Sequence, residues 1–352
     1  MIVYESERWL QDIDAVMTQL PELDVMAGKS VLITGAAGLI CSSVVDILFR
    51  YNDTHEKKIQ VLAAGRWLEE MTARFGAQVD RPDFTFVVYD ASKTDNVIRE
   101  KADYIIHGAS NASPDMIVKE PVETMLSNIL GVKYLLDYAK ECGTKRILYI
   151  SSSEVYGSKQ GNEPYKEGEY GFIDLLKPRN SYSIGKCAAE TMCVSYADEY
   201  GIESVIVRPG HIYGPTASPY DVRVGSAWAY AVANGKDLVM KSDGSQIRSY
   251  VYSLDCASAM LKVLLSGENC HAYNISNPES IITIKELGEF LAKAGGVRLR
   301  MELPTEAERK GFNPMSNSSL EATSLLALGW RGCFNAEEGL KHTVQILREI
   351  SC

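Results

Sequence analysis

A chain of 352 residues with 46% hydrophobic and 23% charged residues has the composition of a globular protein, which excludes disordered, collagen-like and low-complexity classes. Its length allows about two domains of roughly 150 residues each, or one large α/β unit with an appended lobe. The net charge of −10 argues against nucleic acid and anionic membranes as partners, although a helix N-terminus or an arginine pair can still bind an anionic small molecule.

The start of the chain and its cysteines give no sign of export or of metal binding. No stretch reaches the ~20 apolar residues that span a bilayer, and the first residues are acidic where a signal peptide is basic and then apolar. We therefore expect a cytoplasmic protein. The eight cysteines include no C-x-x-C pair, so we expect reduced thiols in the core, with no metal site and no disulfide framework.

Short β-rich runs alternate with helix-length patterns over most of the chain before Gly214. An amphipathic helix is predicted over 4–20, closed by Pro21. A buried strand over 30–34 then leads through a glycine turn into a helix over 42–51. Further β-rich runs lie at 59–63, 84–89, 104–107, 146–150 and 204–207. Strands that alternate with helices predict an α/β fold with a doubly wound parallel sheet.

The composition changes after Gly214 and Pro215, where the chain becomes richer in Gly, Ser, Asn and Pro. Helical patterns recur near 224–234, 254–266, 284–294 and 336–349. We therefore predict an N-terminal helical extension (1–27), a doubly wound domain (28–214) and a smaller α/β lobe on the C-terminal side (215–352), some of whose segments return to the first domain. The cleft between the lobes is the expected ligand site.

The segment Thr34–Cys41 follows the first strand and opens a helix, which is the context that a dinucleotide-phosphate loop requires. Gly35 and Gly38 allow a tight turn and a close backbone approach, which leaves free amides and the helix dipole to hold a pyrophosphate. Cys41 stands where such loops usually carry a third glycine. The alternative interpretation of the whole segment is a plain strand-to-helix turn that binds no nucleotide. The loop predicts that 28–214 is an NAD(P)-binding, Rossmann-type domain. The expected cofactor contacts here are Gly35, Ala37, Gly38, Leu39 and Ile40.

Two residues that follow the second and third strands bear on the type of nucleotide. The sequence before Arg66 offers no carboxylate for a ribose 2′-hydroxyl, whereas Arg66 itself could neutralise a 2′-phosphate. NADP is therefore slightly favoured over NAD, and the alternative for Arg66 is a solvated surface position. Asp90 could accept a hydrogen bond from the adenine amino group or cap the next turn.

A phenol and an ammonium group lie one helical turn apart in the pattern Tyr182-x-x-x-Lys186. A tyrosine with a pKa of about 10 is a poor base at neutral pH, but a neighbouring cation lowers that pKa and favours the phenolate. Tyr182 is therefore predicted to be a general base. The hydroxyl run 151–153 ends a predicted strand, and the active groups of open parallel sheets gather at such strand ends.

From about Lys29 to Thr343 the chain resembles the extended short-chain dehydrogenases/reductases of the nucleotide-sugar epimerase, dehydratase and decarboxylase group. The segment Ile150–Gly157 is similar to the motif that carries a catalytic Ser or Thr, here Ser152, followed by Ser153 and Glu154. Two further segments, 107–114 and 167–186, resemble UDP-glucuronate decarboxylases (UDP-xylose synthases) without a gap.

This resemblance implies roles for several further residues. Asn128 matches an asparagine that supports the lysine through water, and Arg248 falls where the decarboxylases have a substrate-binding arginine. His211 stands in place of the usual asparagine. The implied catalytic residues are Ser152, Ser153, Glu154, Tyr182 and Lys186; the implied cofactor contacts also include Ala109, Ser110, Asn128, Tyr182 and Lys186; and the implied substrate contacts are Ser113, Arg179, His211 and Arg248.

The resemblance also implies a reaction on a nucleotide-diphosphate sugar through a 4-keto intermediate, in a lobe (215–352) that is mainly substrate-binding. UDP-glucuronate decarboxylation is the leading interpretation. A nucleotide-sugar 4,6-dehydratase or an epimerase is the alternative, since Ile117 and Lys119 replace tyrosines of the decarboxylases. A more remote alternative is a nucleotide-binding protein without catalytic activity. The helices near 121–140 and after Tyr182 are expected to form a homodimer, as in the families that this chain resembles.

Overall fold

The computed structural model describes residues 2–302 and 316–351. Its centre is a seven-stranded sheet formed by β1 (Ser30–Thr34), β2 (Gln60–Gly65), β3 (Phe84–Val88), β4 (Tyr104–His107), β5 (Arg146–Ile150), β6 (Ser204–Pro209) and β10 (Ala272–Ile275). Every pair of neighbouring strands is parallel, and the strand order is β10-β6-β5-β4-β1-β2-β3. The predicted α/β fold with a doubly wound parallel sheet is confirmed.

Helices cover both faces of this sheet because its strands are apolar on both sides. The helices on these faces are α2 (Cys41–Thr54), α5 (Pro121–Cys142), α6 (Ser181–Tyr200) and α8 (Ser253–Ser266). Alternate residues of β1 point to opposite faces: Val31 and Ile33 pack in one core with α2 and α8, and Leu32 packs in a second core with α5 and α6. The second core continues into the close packing of α5 against α6.

The strand order reverses between β1 and β4, which are neighbours in the sheet. The carboxyl ends of these strands, Thr34 and His107, are paired residues, and the loops that follow them diverge to opposite sides. In open α/β sheets the crevice at such a reversal is where ligands bind. The fold therefore brings the glycine loop after β1 and the segment after β4 to one place.

The N-terminal extension differs from the single helix predicted over 4–20. A 3₁₀ turn (Val3–Glu5) comes first, the α-helix α1 runs over Glu7–Met17, and a second 3₁₀ turn follows over Pro21–Met26. Ser6 ends the first turn because its hydroxyl caps α1 by accepting from the Trp9 backbone N–H. The extension is anchored in the first domain, since the buried Trp9 indole donates to Asp46 of α2 at 2.8 Å.

The C-terminal part contributes two small sheets and further helices, and also returns β10 and α8 to the first domain. Its other strands are β7 (His211–Tyr213), β8 (Leu238–Met240), β9 (Ile247–Tyr252), β11 (Ile281–Thr283) and β12 (Leu299–Met301). The remaining helices of the described residues are α3 (Leu68–Phe75), α4 (Pro114–Lys119), α7 (Val224–Ala233), α9 (Ile284–Gly295), α10 (Thr323–Ala327) and α11 (Ala336–Ser351). Within 2–302 and 316–351, none of the helices has the length and apolar character needed to cross a membrane.

Candidate active site

The glycine loop after β1 is tight and lies directly against the segment after β4. Gly35 has φ 68°, and a Cβ at this position would come within 3.0 Å of the Ala109 nitrogen, so only glycine fits. The Gly38 N–H donates to the Gly35 carbonyl at 2.9 Å. The residue that caps α2, Ile40, makes no side-chain hydrogen bond to the first turn. The loop thus leaves a helix N-terminus that fits a pyrophosphate group.

The residue in place of a third glycine, Cys41, is accommodated by a glycine on the opposite segment. Cys41 is buried, and a side chain at Gly108 would collide with its sulfur. The thiol therefore fills the space between α2 and the end of β4. Burial raises the pKa of Cys41 to about 12, so the group is an uncharged packing residue.

The two residues predicted to set nucleotide preference lie at the ends of β2 and β3. The Arg66 side chain is 61% exposed, with its guanidinium 3.9 Å from Glu70. Asp90 accepts from the backbone N–H and hydroxyl of Ser92 at 2.9 and 2.7 Å, so it caps the turn that follows β3. Burial raises the pKa of Asp90, but the bonds from Ser92 and the charge of Arg66 outweigh this effect and lower it.

Tyr182, Ser152 and Lys186 come together at the end of β5. Ser152 acts to lower the pKa of the Tyr182 phenol, and its Oγ accepts from the Glu154 backbone N–H at 3.2 Å. Lys186 lies one turn along α6, with its Nζ 5.6 Å from the centroid of the Tyr182 ring, and it donates to the Ile150 carbonyl at 2.7 Å. The Tyr149 ring lies 4.9 Å from the same Nζ. This is the arrangement that the Tyr-x-x-x-Lys pattern and the hydroxyl run predicted.

The pKa of Tyr182 is shifted in the direction opposite to the one that the sequence predicted from its neighbour Lys186. Burial and the charge of Glu154 raise the pKa of Tyr182 to about 12, although Ser152 and two arginines act in the opposite direction. Burial lowers the pKa of Lys186 to about 7, opposed by the charge of Glu190. The expectation of a lowered tyrosine pKa is therefore wrong, because desolvation outweighs the neighbouring cations.

Asn128 links α5 to the end of the sheet behind this pair. Its Oδ1 accepts from the Ser110 hydroxyl at 3.0 Å and from the Tyr149 hydroxyl at 3.3 Å, and its amide donates to the Thr124 carbonyl at 2.8 Å. A Cβ on Gly185 of α6 would come within 3.2 Å of the Asn128 side chain. Asn128 and Ser110 thus lie beside α6 at the level of Lys186, where the resemblance implies cofactor contacts.

Glu154 lies in the 3₁₀ turn (Ser153–Tyr156) that begins just after Ser152. Its carboxylate accepts two hydrogen bonds from the Arg179 guanidinium, at 3.0 and 3.1 Å, and one from the Ser183 hydroxyl at 3.1 Å. Both members of the ion pair are partly exposed. The half-buried Ser153 begins the turn. The structure therefore brings Glu154 and Arg179 together beside Tyr182.

The C-terminal lobe places His211 and Arg248 on the paired strands β7 and β9. The His211 ring lies 5.6 Å from the Tyr250 ring. Burial, together with the charges of Arg248 and Arg223, lowers the pKa of His211 to about 4, so the imidazole is neutral at pH 7 beside two guanidinium groups. Ser113 caps the short helix α4 on the first domain and is half-buried.

Four residues of this region were not predicted from the sequence. Ser183 and Glu190 lie on α6, one residue after Tyr182 and one turn after Lys186, so the helical spacing could have indicated both. Glu190 is buried against Arg208 and Ser151. Tyr149 and Arg223 come from β5 and from the segment before α7, and no local pattern singles them out. The residues missed are Tyr149, Ser183, Glu190 and Arg223.

Sequence comparison finds relatives over most of the chain. A model of the NAD dependent epimerase/dehydratase family matches residues 31–276. A trifunctional UDP-glucose 4,6-dehydratase/UDP-4-keto-6-deoxy-D-glucose 3,5-epimerase/UDP-4-keto-L-rhamnose-reductase of Arabidopsis thaliana is 32% identical over 322 residues, which are 90% of this chain and 47% of that protein. The chain thus spans about half the length of this relative. UDP-glucuronic acid decarboxylase 6 of Arabidopsis thaliana is 30% identical over 312 residues, 88% of this chain and 86% of that protein.

Solved structures with the same fold include two nucleotide-sugar enzymes. A UDP-glucose 4-epimerase of Thermotoga maritima, solved with UDP-glucose, superposes with a TM-score of 0.76 at 25% identity, over 92% of this chain and 100% of the other. A dTDP-glucose 4,6-dehydratase of Bacillus anthracis, solved with NAD, superposes with a TM-score of 0.75 at 21% identity, over 91% of this chain and 97% of the other. Both cover the first domain and the C-terminal lobe.

Proposed function

This chain belongs to the NAD dependent epimerase/dehydratase family, and from that premise we propose that it oxidises C4 of a nucleotide-diphosphate sugar and then converts the 4-keto sugar, with UDP-glucuronate decarboxylation as the reaction. The predictions of the family and of an enzyme are confirmed by the family match and by the relatives. The choice of sugar and of second step is the proposal.

The first domain fits a nicotinamide dinucleotide. The backbone at Gly35 and Gly38 and the uncapped start of α2 would hold the pyrophosphate, and no side chain at Gly35 obstructs that approach. Lys186 and Asn128 would hold the nicotinamide end. When bound, NAD(P) accepts a hydride from the sugar and can return it.

The arrangement that carries this proposal is the Tyr182 phenol one helical turn from Lys186, together with Ser152, which acts to lower the pKa of the tyrosine. Tyr182 would remove the proton of the C4 hydroxyl as hydride leaves C4. Ser152 would hold the same oxygen, and a protonated Lys186 one turn away would stabilise the phenolate. Because the three groups converge at one strand end, a single sugar carbon can reach all of them.

The C-terminal lobe supplies positive charge for the diphosphate. Arg248 and Arg223 both act on the neutral His211, so the two guanidinium groups share one region of β7, β9 and the segment before α7. Arg223 also pairs with Asp221 at 2.6 Å and would have to exchange this partner to bind a phosphate. Guanidinium groups suit phosphate oxygens because they can donate two parallel hydrogen bonds. We therefore assign the diphosphate to this side of the cleft and the sugar to the side of Ser152.

Decarboxylation is preferred over dehydration because of the residue between Ser152 and Glu154. Dehydratases of the dTDP-glucose type, which this chain resembles more distantly, carry an aspartate where Ser153 stands, and serine cannot supply the same acid. Dehydration stays the second candidate, because a trifunctional relative with a UDP-glucose 4,6-dehydratase activity in its name is 32% identical to this chain.

The test is a panel of UDP-glucuronate, UDP-glucose, dTDP-glucose and GDP-mannose, each incubated with the chain and NAD or NADP and followed by mass spectrometry. Release of carbon dioxide from UDP-glucuronate is the expected result. If the only reaction is loss of water from a neutral hexose nucleotide, the chain is a dehydratase and the proposed decarboxylation is rejected. A product of unchanged mass but altered chromatographic retention would indicate epimerisation. Tyr182→Phe is the control for background conversion.

We further propose that NADP is preferred over NAD, on the basis of Arg66. If the exposed Arg66 guanidinium pairs with the 2′-phosphate, Arg66→Ala removes a charge-assisted hydrogen bond worth about 1.5–3 kcal/mol. The dissociation constant for NADP is expected to rise by about 10–100-fold while that for NAD stays near its original value. Calorimetric titration measures both. Equal effects on the two nucleotides would assign Arg66 to the solvated surface.

We also propose a homodimer through α5 and α6. Val122 and Leu126 lie one turn apart on α5 with 62% and 41% of their surface exposed, and Val194 of α6 is 40% exposed. Exposed apolar residues at this spacing fit a helix face that packs on a second copy. Light scattering at micromolar concentration should give the mass of two chains, and the double variant Val122→Asp/Leu126→Asp should give one. Tyr220→Asp, at an exposed residue of the other lobe, is the matched control.

A further inference from the structure

The carboxylate of Glu154 is held from one side by two residues of different segments. Arg179 Nη2 donates to Oε1 at 3.0 Å, and Arg179 Nη1 donates to Oε2 at 3.1 Å, which is a two-pronged contact. The buried Ser183 donates to Oε2 at 3.1 Å. Arg179 precedes α6 and Ser183 lies in its first turn, whereas Glu154 follows β5. The start of α6 and the end of β5 are thus tied together at this carboxylate.

These contacts leave Glu154 with one open acceptor position. A carboxylate has about four acceptor positions, and three of them are taken by the guanidinium and the hydroxyl. The two-pronged contact with Arg179 also fixes the plane of the carboxylate. The side chain is also partly exposed, so its remaining acceptor position can be reached by a ligand.

The same contacts occupy Arg179. Both of its terminal nitrogens already donate to Glu154, and the guanidinium would have to leave this partner to pair with the carboxylate of a sugar. Hydrogen bonding to Glu154 also raises the pKa of the Arg179 guanidinium. The expectation from the sequence, that Arg179 contacts the substrate, is therefore not what the contacts favour.

Resting on the proposed function, we propose that Arg179 and Ser183 are positioning residues that hold Glu154 as an oriented carboxylate for the step after the first hydride transfer, and that Arg179 does not itself bind the sugar. Glu154 then accepts a hydrogen bond from the sugar while the C5–carboxylate bond breaks, carbon dioxide leaves and C5 takes a proton from solvent; it accepts the C5 proton only if the second step is dehydration. Arg179 and Ser183 act on the rate only through Glu154.

The experiment is a double-mutant cycle on the rate of product formation, with Arg179→Met, Glu154→Gln and the two combined. Arg179→Met alone is expected to lower kcat by about 10–100-fold, the range for losing a charge-assisted hydrogen bond, while KM stays near the wild-type value. In the Glu154→Gln background, Arg179→Met is expected to cause no further loss, because residues that act through one another are not additive. Ser183→Ala is expected to lower kcat less than Arg179→Met and to show the same non-additivity.

Two further variants separate positioning from folding. Arg179→Lys keeps the charge but loses the two-pronged contact, so its kcat should lie between those of the wild type and Arg179→Met. Lys177→Met removes an exposed cation of the same segment, which pairs with Asp174, and should leave kcat and KM unchanged. Thermal unfolding of each variant should give similar midpoints.

Two results overturn the inference while the proposed function stands. One is a raised KM with unchanged kcat in Arg179→Met, and the other is a full additional loss when Arg179→Met is combined with Glu154→Gln; both mean that Arg179 binds the sugar directly. A wild-type chain that neither reduces its nicotinamide nor forms product with any nucleotide sugar would instead reject the proposed function, and the inference with it.

Discussion

Replacing Tyr182 by phenylalanine is expected to abolish turnover and to leave the nicotinamide nucleotide bound. The substitution removes one hydroxyl from a buried ring and keeps the ring itself, which packs beside Lys186. A general base contributes about 10²–10⁴-fold, so the rate should fall by at least that range. Steady-state assays of product formation measure the first effect, and nucleotide retained by the purified variant measures the second.

The matched control is Tyr200→Phe, which removes the same hydroxyl from an exposed ring at the far end of the same helix. This variant should keep wild-type activity. Lys186→Met should be inactive as well, and it should also weaken nucleotide binding if its ammonium contacts the cofactor. Activity of Tyr182→Phe within about tenfold of the wild type would exclude Tyr182 as the general base, because the loss would fall below the range for such groups.

Glu154→Gln is expected to separate the two halves of the reaction. The amide keeps the shape of the side chain but loses the charge that pairs with Arg179, and it cannot take the C5 proton that dehydration would require. Oxidation at C4 by Tyr182 should therefore proceed and the following step should stall. Adding substrate should therefore produce a rise in reduced-nicotinamide absorbance that does not decay, with little product. The expected loss in product formation is about 10²–10⁴-fold.

Glu163→Gln serves as the control, since Glu163 is an exposed carboxylate of the loop that follows the 3₁₀ turn. It should show the transient absorbance and the full product yield of the wild type. The role of Glu154 in proton transfer fails if the Glu154→Gln variant completes the reaction at near the wild-type rate. An absent absorbance rise would instead place Glu154 in the first step, through its charge effect on Tyr182.

The fold and the ends of its strands follow from local patterns in the sequence. The strand Ser30–Thr34 and the strand Tyr104–His107 lie where the β-rich runs predicted them, because a strand buried on both faces needs a continuous apolar run. Helix α8 similarly begins and ends within one residue of the predicted range 254–266. The one clear departure is the N-terminal helix, which Ser6 shortens by capping α1 at Glu7.

The sequence predicted which residues form the candidate site better than it predicted the charges that act on them. The glycine loop and the Tyr182–Lys186 pair could be identified because each stands at a fixed offset within one strand-to-helix turn or one helical turn. Ser152 was singled out from the hydroxyl run 151–153 by the family resemblance. Their placement together at the strand ends follows from the parallel sheet itself. The residues from distant segments could not be identified in this way. Arg223, for example, precedes α7 in the C-terminal lobe, and its charge acts to lower the pKa of Tyr182 in the first domain and of His211 on β7.

The amino-acid sequence by itself determined the alternation of strands and helices, the tight glycine loop and the Tyr182–Lys186 pair, since these depend on neighbours within a few residues. Only the tertiary structure decided that Arg179 pairs with Glu154, and that burial raises the pKa of Tyr182 to about 12. Such contacts join segments that are far apart in the chain. Desolvation depends on everything packed around a group, so neither effect can be read from local spacing.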